Sequence, residues 1–300
     1  MPPRRTALVF PGQGSQRPGM GAPWRDSPAW PLVEHASHVS RRDLAHLLVD
    51  ADAAELRRTV NAQLSTFLTS VLALHAVRER VDDVVALAGH SLGEVTALVA
   101  AGVLAPADGV RVVAERGAAM QAAADARGGT MAAVLGLGDE AVGRVVDGVE
   151  GVWVANHNAP AHVVVSGTAD GVAAAREALT AAGARRVLPL PVGGAFHTPL
   201  MAPAQQRLDA ALGAAAWHDR GATVLSAVTA APYDGDWPDL LSRQLTAPVR
   251  WRQTVEALVE RGVDTVVEVG PGGVLTGLVK RCAPGVRAVS VATPDDLEQL

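Results

Sequence analysis

A serine bracketed by two glycines, between a predicted strand and a predicted helix, constrains this chain more than any other feature. The apolar run over residues 84–88 predicts a buried strand, and apolar residues recur at helical spacing from Glu94 onward. The residues between them, 89-GHSLG-93, match the G-x-S-x-G pattern of a nucleophile elbow, which requires this strand–turn–helix context. A tight, strained turn needs close neighbours without bulk, which explains the glycines. We therefore expect the hydroxyl of Ser91 to emerge at the carboxyl end of a strand.

The elbow makes Ser91 a candidate nucleophile. The backbone N–H of Leu92, at the start of the following helix, is expected to point to where an oxyanion would form. His90 precedes the serine, and we expect it to support the turn rather than to take up protons. The alternative interpretation is a glycine-rich turn that buries a serine without any chemistry.

Composition limits the classes of protein to which the chain can belong. With 300 residues, of which 49% are hydrophobic and 19% charged, it fits one large or two modest globular domains. A net charge of -5 gives no broad basic surface, so we expect no nucleic-acid partner. The single cysteine, Cys282, predicts neither an internal disulfide nor a paired-cysteine metal site. No apolar run reaches membrane-spanning length and the first residues resemble no signal peptide, so we expect a cytoplasmic protein without a membrane partner.

The order of the predicted elements indicates an α/β fold. Strands alternate with helices along most of the chain, which favours a parallel sheet. A Pro/Gly-rich loop over residues 11–20 follows the first strand, and we expect it to bring Gln13 and backbone amides into a site. The strands predicted for this sheet cover 6–10, 84–88, 222–228 and 264–270; helices before the elbow are predicted over 31–48, 52–60 and 64–80, and the last predicted element is a helix ending near Arg281.

The order of the predicted elements changes after a glycine-rich stretch over residues 125–130. From there to Pro191 the predicted order is strand, helix, strand, strand, helix, strand, which is the ferredoxin-like pattern. We therefore expect a small domain inserted into a larger α/β domain. The predicted boundaries are 1–127 and 195–300 for the large domain and 128–194 for the insert.

A serine nucleophile needs a base, and nine histidines are candidates. His197 lies in an apolar, glycine-rich stretch just before a predicted helix, a position that suits a residue aimed into a cleft. No carboxylate is near it in the sequence, so an Asp-oriented triad cannot be argued locally. The histidines on helical stretches are expected to be surface residues or residues with satisfied hydrogen bonds: His35, His38, His46 and His75.

Six short motifs follow one another along the chain: GQGSQ (12–16), GHSLGE (89–94), RGAAMQ (116–121), AFHTPLM (195–201), RQLTAPVRW (243–251) and VEVGPGGVLTGLVKR (267–281). The set resembles the malonyl-CoA:acyl carrier protein transacylase family, which includes acyltransferase domains of polyketide synthases. The resemblance covers nearly the whole chain. It implies an α/β-hydrolase-like large domain with a ferredoxin-like insert, which agrees with the order of elements.

The resemblance implies a role for each matching position. Ser91 resembles the nucleophile that accepts the acyl group, and His197 resembles the base that takes the Ser91 proton. The family orients this histidine through a main-chain carbonyl, here matched by Gln244, which implies a dyad without a carboxylate. Gln13 and Leu92 match the backbone amides of the oxyanion hole.

The resemblance also implies how the acyl group is bound. Arg116 matches an arginine that holds the free carboxylate of a malonyl-type group, since a guanidinium binds a carboxylate bidentately and keeps its charge. The alternative for Arg116 is a solvated helix arginine. Gln63 resembles a glutamine near the substrate, and His90 and Phe196 are placed at the same pocket. Phe196 directly precedes His197, which resembles the malonyl-selective members of the family. A phenyl ring at this place fills the space that an α-methyl group would occupy.

Three positions depart from the family pattern. The family often has an aromatic residue where His157 stands and a glutamine where His162 stands. Its malonyl-selective members usually have a histidine at the position of Gly194, and the glycine is expected to leave extra room beside Phe196. These departures bear on acyl specificity and carrier docking rather than on the reaction, and they favour a polyketide pathway over fatty-acid synthesis.

The resemblance implies ping-pong transfer from an acyl-CoA, most of all malonyl-CoA, to the pantetheine thiol of an acyl carrier protein. No metal and no redox cofactor is implied. Carrier proteins of this family are acidic, so local basic residues are candidates to meet one. These residues are Arg185, Arg186, Lys280 and Arg281.

Two alternative functions remain open from the sequence. One is a hydrolase that clears stalled acyl groups from carrier proteins with the same serine and histidine. The other is a docking module without catalysis. Arg116 favours the transferase over the hydrolase, and the presence of Ser91, His197 and Gln13 argues against a docking module.

Overall fold

Nine strands form two separate sheets in a computed structural model that describes residues 4–219 and 221–300. The expectation that the chain enters its first strand without a leader concerns residues 1–3 as well, which lie outside the described part. In chain order the strands are β1 (Thr6–Phe10), β2 (Val84–Gly89), β3 (Thr130–Leu135), β4 (Val152–Ala159), β5 (His162–Gly167), β6 (Arg186–Pro189), β7 (Val224–Leu225), β8 (Thr265–Val269) and β9 (Arg287–Val291).

The larger sheet has five parallel strands in the order β7-β2-β1-β8-β9. Every residue of β1 and β8 is buried, as expected for a parallel sheet that is covered on both faces. One apolar cluster, which includes Phe10 and Leu87, fills one side, and another, which includes Val9 and Ala88, fills the other. Parallel pairing brings the carboxyl ends of β1, β2 and β8 to one edge, where the elbow follows β2.

The helices lie around these sheets and confirm the predicted α/β class. They are α1 (Pro31–Ser40), α2 (Leu44–Val49), α3 (Ala53–Arg57), α4 (Thr59–Val77), α5 (Gly93–Ala101), α6 (Pro106–Arg127), α7 (Asp139–Asp147), α8 (Ala169–Ala181), α9 (Ala202–Ala214), α10 (Trp237–Gln244), α11 (Trp251–Glu260) and α12 (Val274–Cys282). By length and composition α4 could cross a membrane, but 89% of its most apolar window is buried inside the protein. It is therefore a core helix.

The smaller sheet is antiparallel, with the order β4-β5-β3-β6. Its elements follow the predicted sequence of strand, helix, strand, strand, helix, strand. Helices α7 and α8 pack on it around a core of their own, which includes Val134, Val142, Val163, Val172 and Leu179. Along β3 and β5, alternate residues such as Val134 and Val163 face this second core. Their neighbours Ala133 and Val164 face the opposite way and join a cluster of the larger sheet.

Four predicted elements differ from the structure. The helix predicted over 31–48 is two helices, because Arg41 adopts a left-handed conformation (φ 54°) and the Asp43 side chain caps α2. The helices predicted over 52–60 and 64–80 are α3 and α4, and α4 begins earlier, at Thr59. The strand predicted over 222–228 shrinks to β7, and β9 was not predicted at all.

Candidate active site

The turn between β2 and α5 has the geometry of the predicted elbow. Ser91 has a positive φ of 53°, a strained conformation for a residue with a side chain. The glycines on either side are required sterically: a Cβ on Gly89 would overlap the backbone of Gly93, and a Cβ on Gly93 would overlap the carbonyl oxygen of Phe10. The His90 N–H donates to that same Phe10 carbonyl at 3.0 Å, which ties the elbow to β1.

His197 lies next to the serine although 106 residues separate them in sequence. Its Nε2 is 2.8 Å from Ser91 Oγ, while its Nδ1 is 3.0 Å from the carbonyl oxygen of Gln244 and 3.1 Å from that of Ala247. Carbonyl oxygens only accept, so Nδ1 carries the proton and Nε2 is free to accept from the serine. The geometry is that of the predicted dyad, with two carbonyls in place of a carboxylate.

The protonation state of His197 suits a base. Burial, together with the nearby charge of Arg116, lowers the pKa of His197 to about 3. The imidazole is therefore neutral at neutral pH and can take a proton from Ser91. Like the serine, His197 has a positive φ, of 60°, so both members of the dyad occupy strained backbone positions.

Arg116 is buried beside the serine, with 2% of its surface exposed, and is not a solvated helix arginine. Its Nη1 donates to Gln63 Oε1 at 2.8 Å, and its Nη2 donates to Gln244 Oε1 at 2.8 Å and to Ser91 Oγ at 3.1 Å. Burial lowers the pKa of Arg116 to about 10, so the guanidinium stays charged at neutral pH. A fixed cation thus faces the candidate nucleophile.

Glu94, the last residue of the GHSLGE motif, is a buried acid for which the sequence predicts no role. Its side chain is fully buried and accepts hydrogen bonds from Gln244 Nε2 and from the Ala227 N–H. Burial raises the pKa of Glu94 to about 7, against the effect of these hydrogen bonds. The sequence signal that could have identified Glu94 is its position: it is the one charged residue of an otherwise uncharged helix, α5, about one turn after Ser91.

A cavity of about 250 Å³ opens over the dyad. It is lined by the candidate residues Gln13, His90, Ser91, Arg116, Phe196 and His197, and by apolar side chains that include Met120, Met131, Leu190, Val192 and Leu278. Met131 belongs to the smaller sheet, so this sheet contributes to the wall together with the loop after β1 and the elbow after β2. A larger groove, of about 730 Å³, lies beside β7, but none of the candidate residues lines it.

The predicted oxyanion donors have free N–H groups. Among residues 4–219 and 221–300, the backbone N–H groups of Gln13 and Leu92 donate to no protein acceptor. Gln13 lines the cavity, and Leu92 lies at the first turn of α5, where unpaired N–H groups collect. Both groups are therefore available to a negatively charged oxygen.

His90 is held away from the dyad by its own partners. Its Nε2 lies 3.0 Å from Asn158 Oδ1, and its ring packs against Trp251 with the centroids 5.8 Å apart. Burial lowers the pKa of His90, so the ring is neutral. Asn158 and Asn156 also line the cavity, and the sequence analysis assigned neither of them to the site.

Phe196 forms part of the cavity wall and lies over Gly194. A Cβ on Gly194 would lie 2.7 Å from Cε1 and 2.8 Å from Cζ of the Phe196 ring. The expectation of extra room beside Phe196 is therefore wrong, because the ring itself occupies the space that a larger residue 194 would need. The ring is 5% exposed, which leaves one edge towards the cavity.

The other predicted positions lie outside the cavity. His157 pairs with Asp139 at 2.9 Å, and His162 lies 3.0 Å from Arg281, so both departures from the family pattern make contacts away from the dyad. Within the described residues no cluster of His, Cys, Asp and Glu has the arrangement of a metal site. The remaining histidines expected at the surface are exposed: His35, His38, His46 and His75.

Comparison with known proteins gives one consistent result. A sequence model described as an acyl transferase domain matches residues 7–293. The malonyl CoA-acyl carrier protein transacylases of Bacillus subtilis (strain 168) and Escherichia coli (strain K12) are 41% and 40% identical to this chain. The alignments cover 98% of this chain and 95% of the first relative, and 96% of this chain and 96% of the second.

Two solved structures that are similar in fold to this chain are malonyl transacylases, like the sequence relatives. The malonyl-CoA:acyl carrier protein transacylase of Xanthomonas oryzae pv. oryzae superposes with a TM-score of 0.94 at 38% identity, over 100% of this chain and 98% of that one. A malonyl-transacylase solved with its type II polyketide acyl-carrier protein superposes with a TM-score of 0.93 at 36% identity, over 98% of each chain. The chain therefore belongs to the acyl transferase domain family.

Proposed function

We propose that this protein transfers a malonyl group from CoA to the phosphopantetheine thiol of an acyl carrier protein. The observation that carries the proposal is the buried guanidinium of Arg116, 3.1 Å from the Oγ of a serine that already contacts a neutral histidine. A buried cation at this place favours an acyl group with its own carboxylate. The relatives at about 40% identity are malonyl CoA-acyl carrier protein transacylases, which supports the same activity.

The first half-reaction acylates Ser91. As Oγ attacks the thioester carbonyl of malonyl-CoA, its proton passes to Nε2 of His197, and the carbonyl oxygen becomes an oxyanion. The N–H groups of Gln13 and Leu92 stabilise this oxyanion. The C–S bond then breaks, and His197 returns the proton to the leaving thiolate, so that CoA departs as a thiol and the serine holds the malonyl ester.

The second half-reaction is the reverse with another thiol. The carrier protein's pantetheine thiol gives its proton to His197 and attacks the ester carbonyl, and Ser91 leaves and recovers the proton. The malonyl carboxylate stays paired with Arg116, which orients the ester for attack. The chemistry requires only acid–base and nucleophilic groups, so we assign no metal and no redox cofactor.

The hydrolase alternative uses the same dyad with water as the acceptor. We favour the transferase because a hydrolase that clears monoacyl groups needs no carboxylate-binding arginine, whereas Arg116 is held by three side chains here. The docking-module alternative leaves the contact between Ser91 and His197 without a purpose.

We also propose the finer assignment of the fold and of the cellular location. The larger sheet and its helices correspond to an α/β-hydrolase-like domain over residues 1–127 and 195–300, and the smaller sheet to a ferredoxin-like insert over 128–194. The connectivity of the smaller sheet and its separate core support the insert. We place the protein in the cytoplasm, where acyl-CoA and carrier proteins are available.

One mass measurement separates the three functions. Intact protein is mixed with malonyl-CoA, with and without a holo carrier protein, and both proteins are weighed. A transferase shows an adduct that persists without the carrier and moves to the carrier when it is present, whereas Ser91→Ala shows none. Loss of the adduct without a carrier would indicate a hydrolase, and an adduct on Ser91→Ala would contradict the proposed nucleophile.

A further inference from the structure

We infer that Glu94 is a positioning residue for the acyl-binding arginine: it fixes the orientation of the Gln244 amide, which in turn holds Arg116. The inference rests on the proposed function, because it concerns the residue that selects a carboxylated acyl group. Glu94 itself touches neither the cavity nor the dyad side chains among the described residues. Its effect therefore passes through Gln244.

Gln244 contacts Arg116, Ser91, His197 and Glu94. Its Oε1 accepts from Arg116 Nη2 at 2.8 Å, its Nε2 donates to the Ser91 carbonyl at 3.1 Å and also to Glu94 Oε2, and its own carbonyl faces His197 Nδ1 at 3.0 Å. A side-chain amide has one accepting end and one donating end, and the two look alike in shape. The surroundings must decide which end faces Arg116.

Ionised Glu94 makes that decision together with the Ser91 carbonyl, because a carboxylate and a carbonyl offer only acceptors to the Gln244 NH₂. The Oε1 of Glu94 already faces the Ala227 N–H at 3.1 Å, and its Oε2 faces the Gln244 amide. The Gln244 amide must therefore turn its NH₂ towards Glu94 and its oxygen towards Arg116. The reverse orientation would set an oxygen against the carboxylate and an NH₂ against the guanidinium, two repulsive contacts in a buried site.

The test variant Glu94→Gln keeps the size of the side chain, replaces one acceptor by a donor and removes the negative charge. In Glu94→Gln the Ala227 N–H keeps the new amide oxygen on its own side, so the new NH₂ faces Gln244. Gln244 then either rotates and presents NH₂ to Arg116 or keeps two donors in contact. In the first case Arg116 loses an acceptor, and in the second the contact between two donors weakens the placement of the Gln244 oxygen that Arg116 needs, while the two carbonyls that hold His197 remain.

We expect Glu94→Gln to lower the ratio of malonyl to acetyl transfer by about tenfold, the effect of one hydrogen bond to a charged group. The ratio is measured by competition between malonyl-CoA and acetyl-CoA, read by mass on a holo carrier protein. A merely structural role would lower both transfers together. An unchanged ratio overturns the inference, and a raised ratio overturns it too, because it would show that Glu94 acts by its negative charge on the substrate.

Glu268→Gln is the matched control. Glu268 is equally buried and accepts the Thr276 N–H at 2.7 Å, but it contacts neither Gln244 nor Arg116 among the described residues. We expect it to leave the malonyl-to-acetyl ratio at the wild-type value. A fall in the ratio like that of Glu94→Gln would assign the effect to any buried carboxylate and overturn the inference.

A second variant keeps the test decisive if Glu94→Gln folds poorly. Gln244→Met keeps the length of the side chain but has no amide, and we expect it to lower the ratio as Glu94→Gln does. Since Glu94 acts through that amide, adding Glu94→Gln to Gln244→Met should lower the ratio no further. An unchanged ratio in Gln244→Met, or additive losses in the double variant, overturns the inference. If the wild type transfers no malonyl group, the proposed function fails, and the inference fails with it.

Discussion

A single titrating residue, His197, ties the chemistry of the site to the stability of the protein. Its pKa is lowered from 6.5 to about 3 in the folded chain. Between these pH values the unfolded chain binds a proton that the folded chain does not, so the free energy of unfolding falls as the pH falls below 6.5. His197→Gln removes this titration. We expect it to lose less unfolding free energy than the wild type between about pH 7 and about pH 5, as measured by urea unfolding.

The titration of Glu94 needs to be separated from that of His197. Glu94, with a pKa raised to about 7, binds more protons in the folded chain and acts in the opposite sense, but it is present in both proteins and cancels from the comparison. Equal pH dependence in His197→Gln and the wild type would contradict the low pKa.

Arg116 should determine the selection of carboxylated acyl groups. Arg116→Ala removes the charge-assisted pair with the malonyl carboxylate, a loss of roughly 1.5–3 kcal/mol. We expect malonyl transfer to fall about ten- to a hundredfold relative to acetyl transfer, read by mass on the carrier. Arg111 lies exposed on the same helix, so Arg111→Ala is the control and should keep the ratio. The same ratio in both variants would show that Arg116 does not bind the carboxylate.

Phe196 should limit the size of the acyl group at its α-carbon. Its ring is close to Gly194 and lines the cavity, so we expect it to exclude a methyl branch. A methyl group changes binding in a pocket by about 1–3 kcal/mol, so the wild type should prefer malonyl-CoA to methylmalonyl-CoA by at most roughly 200-fold. We expect Phe196→Ala to reduce this preference in competition with equal amounts of the two. Equal loading by the wild type would contradict this role.

At the scale of elements, the elbow depends on contacts between β1, β2 and α5. Gly93 opens α5, where alanine would be favoured by helix propensity by about 1 kcal/mol. Its added Cβ would nevertheless overlap the Phe10 carbonyl oxygen, which lies on backbone that cannot move without shifting β1. We expect Gly93→Ala to lower the midpoint of thermal unfolding and to prevent acylation of Ser91.

A second glycine tests the steric explanation. Gly277 lies exposed in the middle of α12, and a Cβ there would meet no atom within 4 Å. Gly277→Ala should therefore keep activity and raise stability slightly, by roughly 0.5–1 kcal/mol. Similar behaviour of the two variants in thermal unfolding would show that the Phe10 contact does not govern the elbow.

Elements with a strong local pattern were predictable, and those defined by distant contacts were not. The apolar runs of β1, β2 and β8 gave their positions to within one or two residues. By contrast β9 is an edge strand whose residues are mostly half-buried, so its pattern is weak. The short β7 is set by pairing with Leu87 and Ala88, which no local pattern records.

The active site shows the same division between residues placed by a local pattern and residues placed by distant contacts. Ser91 and its glycines could be placed from one short motif, because the strain of the turn is written in adjacent residues. The contact of Gln244 with Glu94 joins residues 150 positions apart, and only the closed fold brings their side chains together. Roles that depend on such a contact need the tertiary structure, whereas the family resemblance gave Gln244 only through its carbonyl.

At the scale of the whole molecule, the cavity lies where the two sheets meet. Arg281 at the end of α12 contacts the Pro160 carbonyl and His162 on the smaller sheet, and Arg252 on α11 contacts Asp139 at the start of α7. These contacts fix the smaller sheet against the larger one. Val274, at the start of α12, lines the cavity and is 49% exposed.

Two exposed basic residues are candidates to meet an acidic carrier protein. Lys280 lies exposed on α12, which also lines the cavity, and Arg186 lies exposed on β6, close in sequence to the cavity residue Leu190; neither forms an ion pair within the described part of the chain. An acidic carrier would be attracted by both charges, although the protein is negative overall.

We expect the double variant Lys280→Glu and Arg186→Glu to raise the KM for the carrier by about tenfold, because charges at the rim of an interface act mainly on association. Arg57, exposed on α3 away from the cavity, supplies the control, and Arg57→Glu should keep the wild-type KM. Equal KM values in the double variant and the wild type would place the carrier on another face.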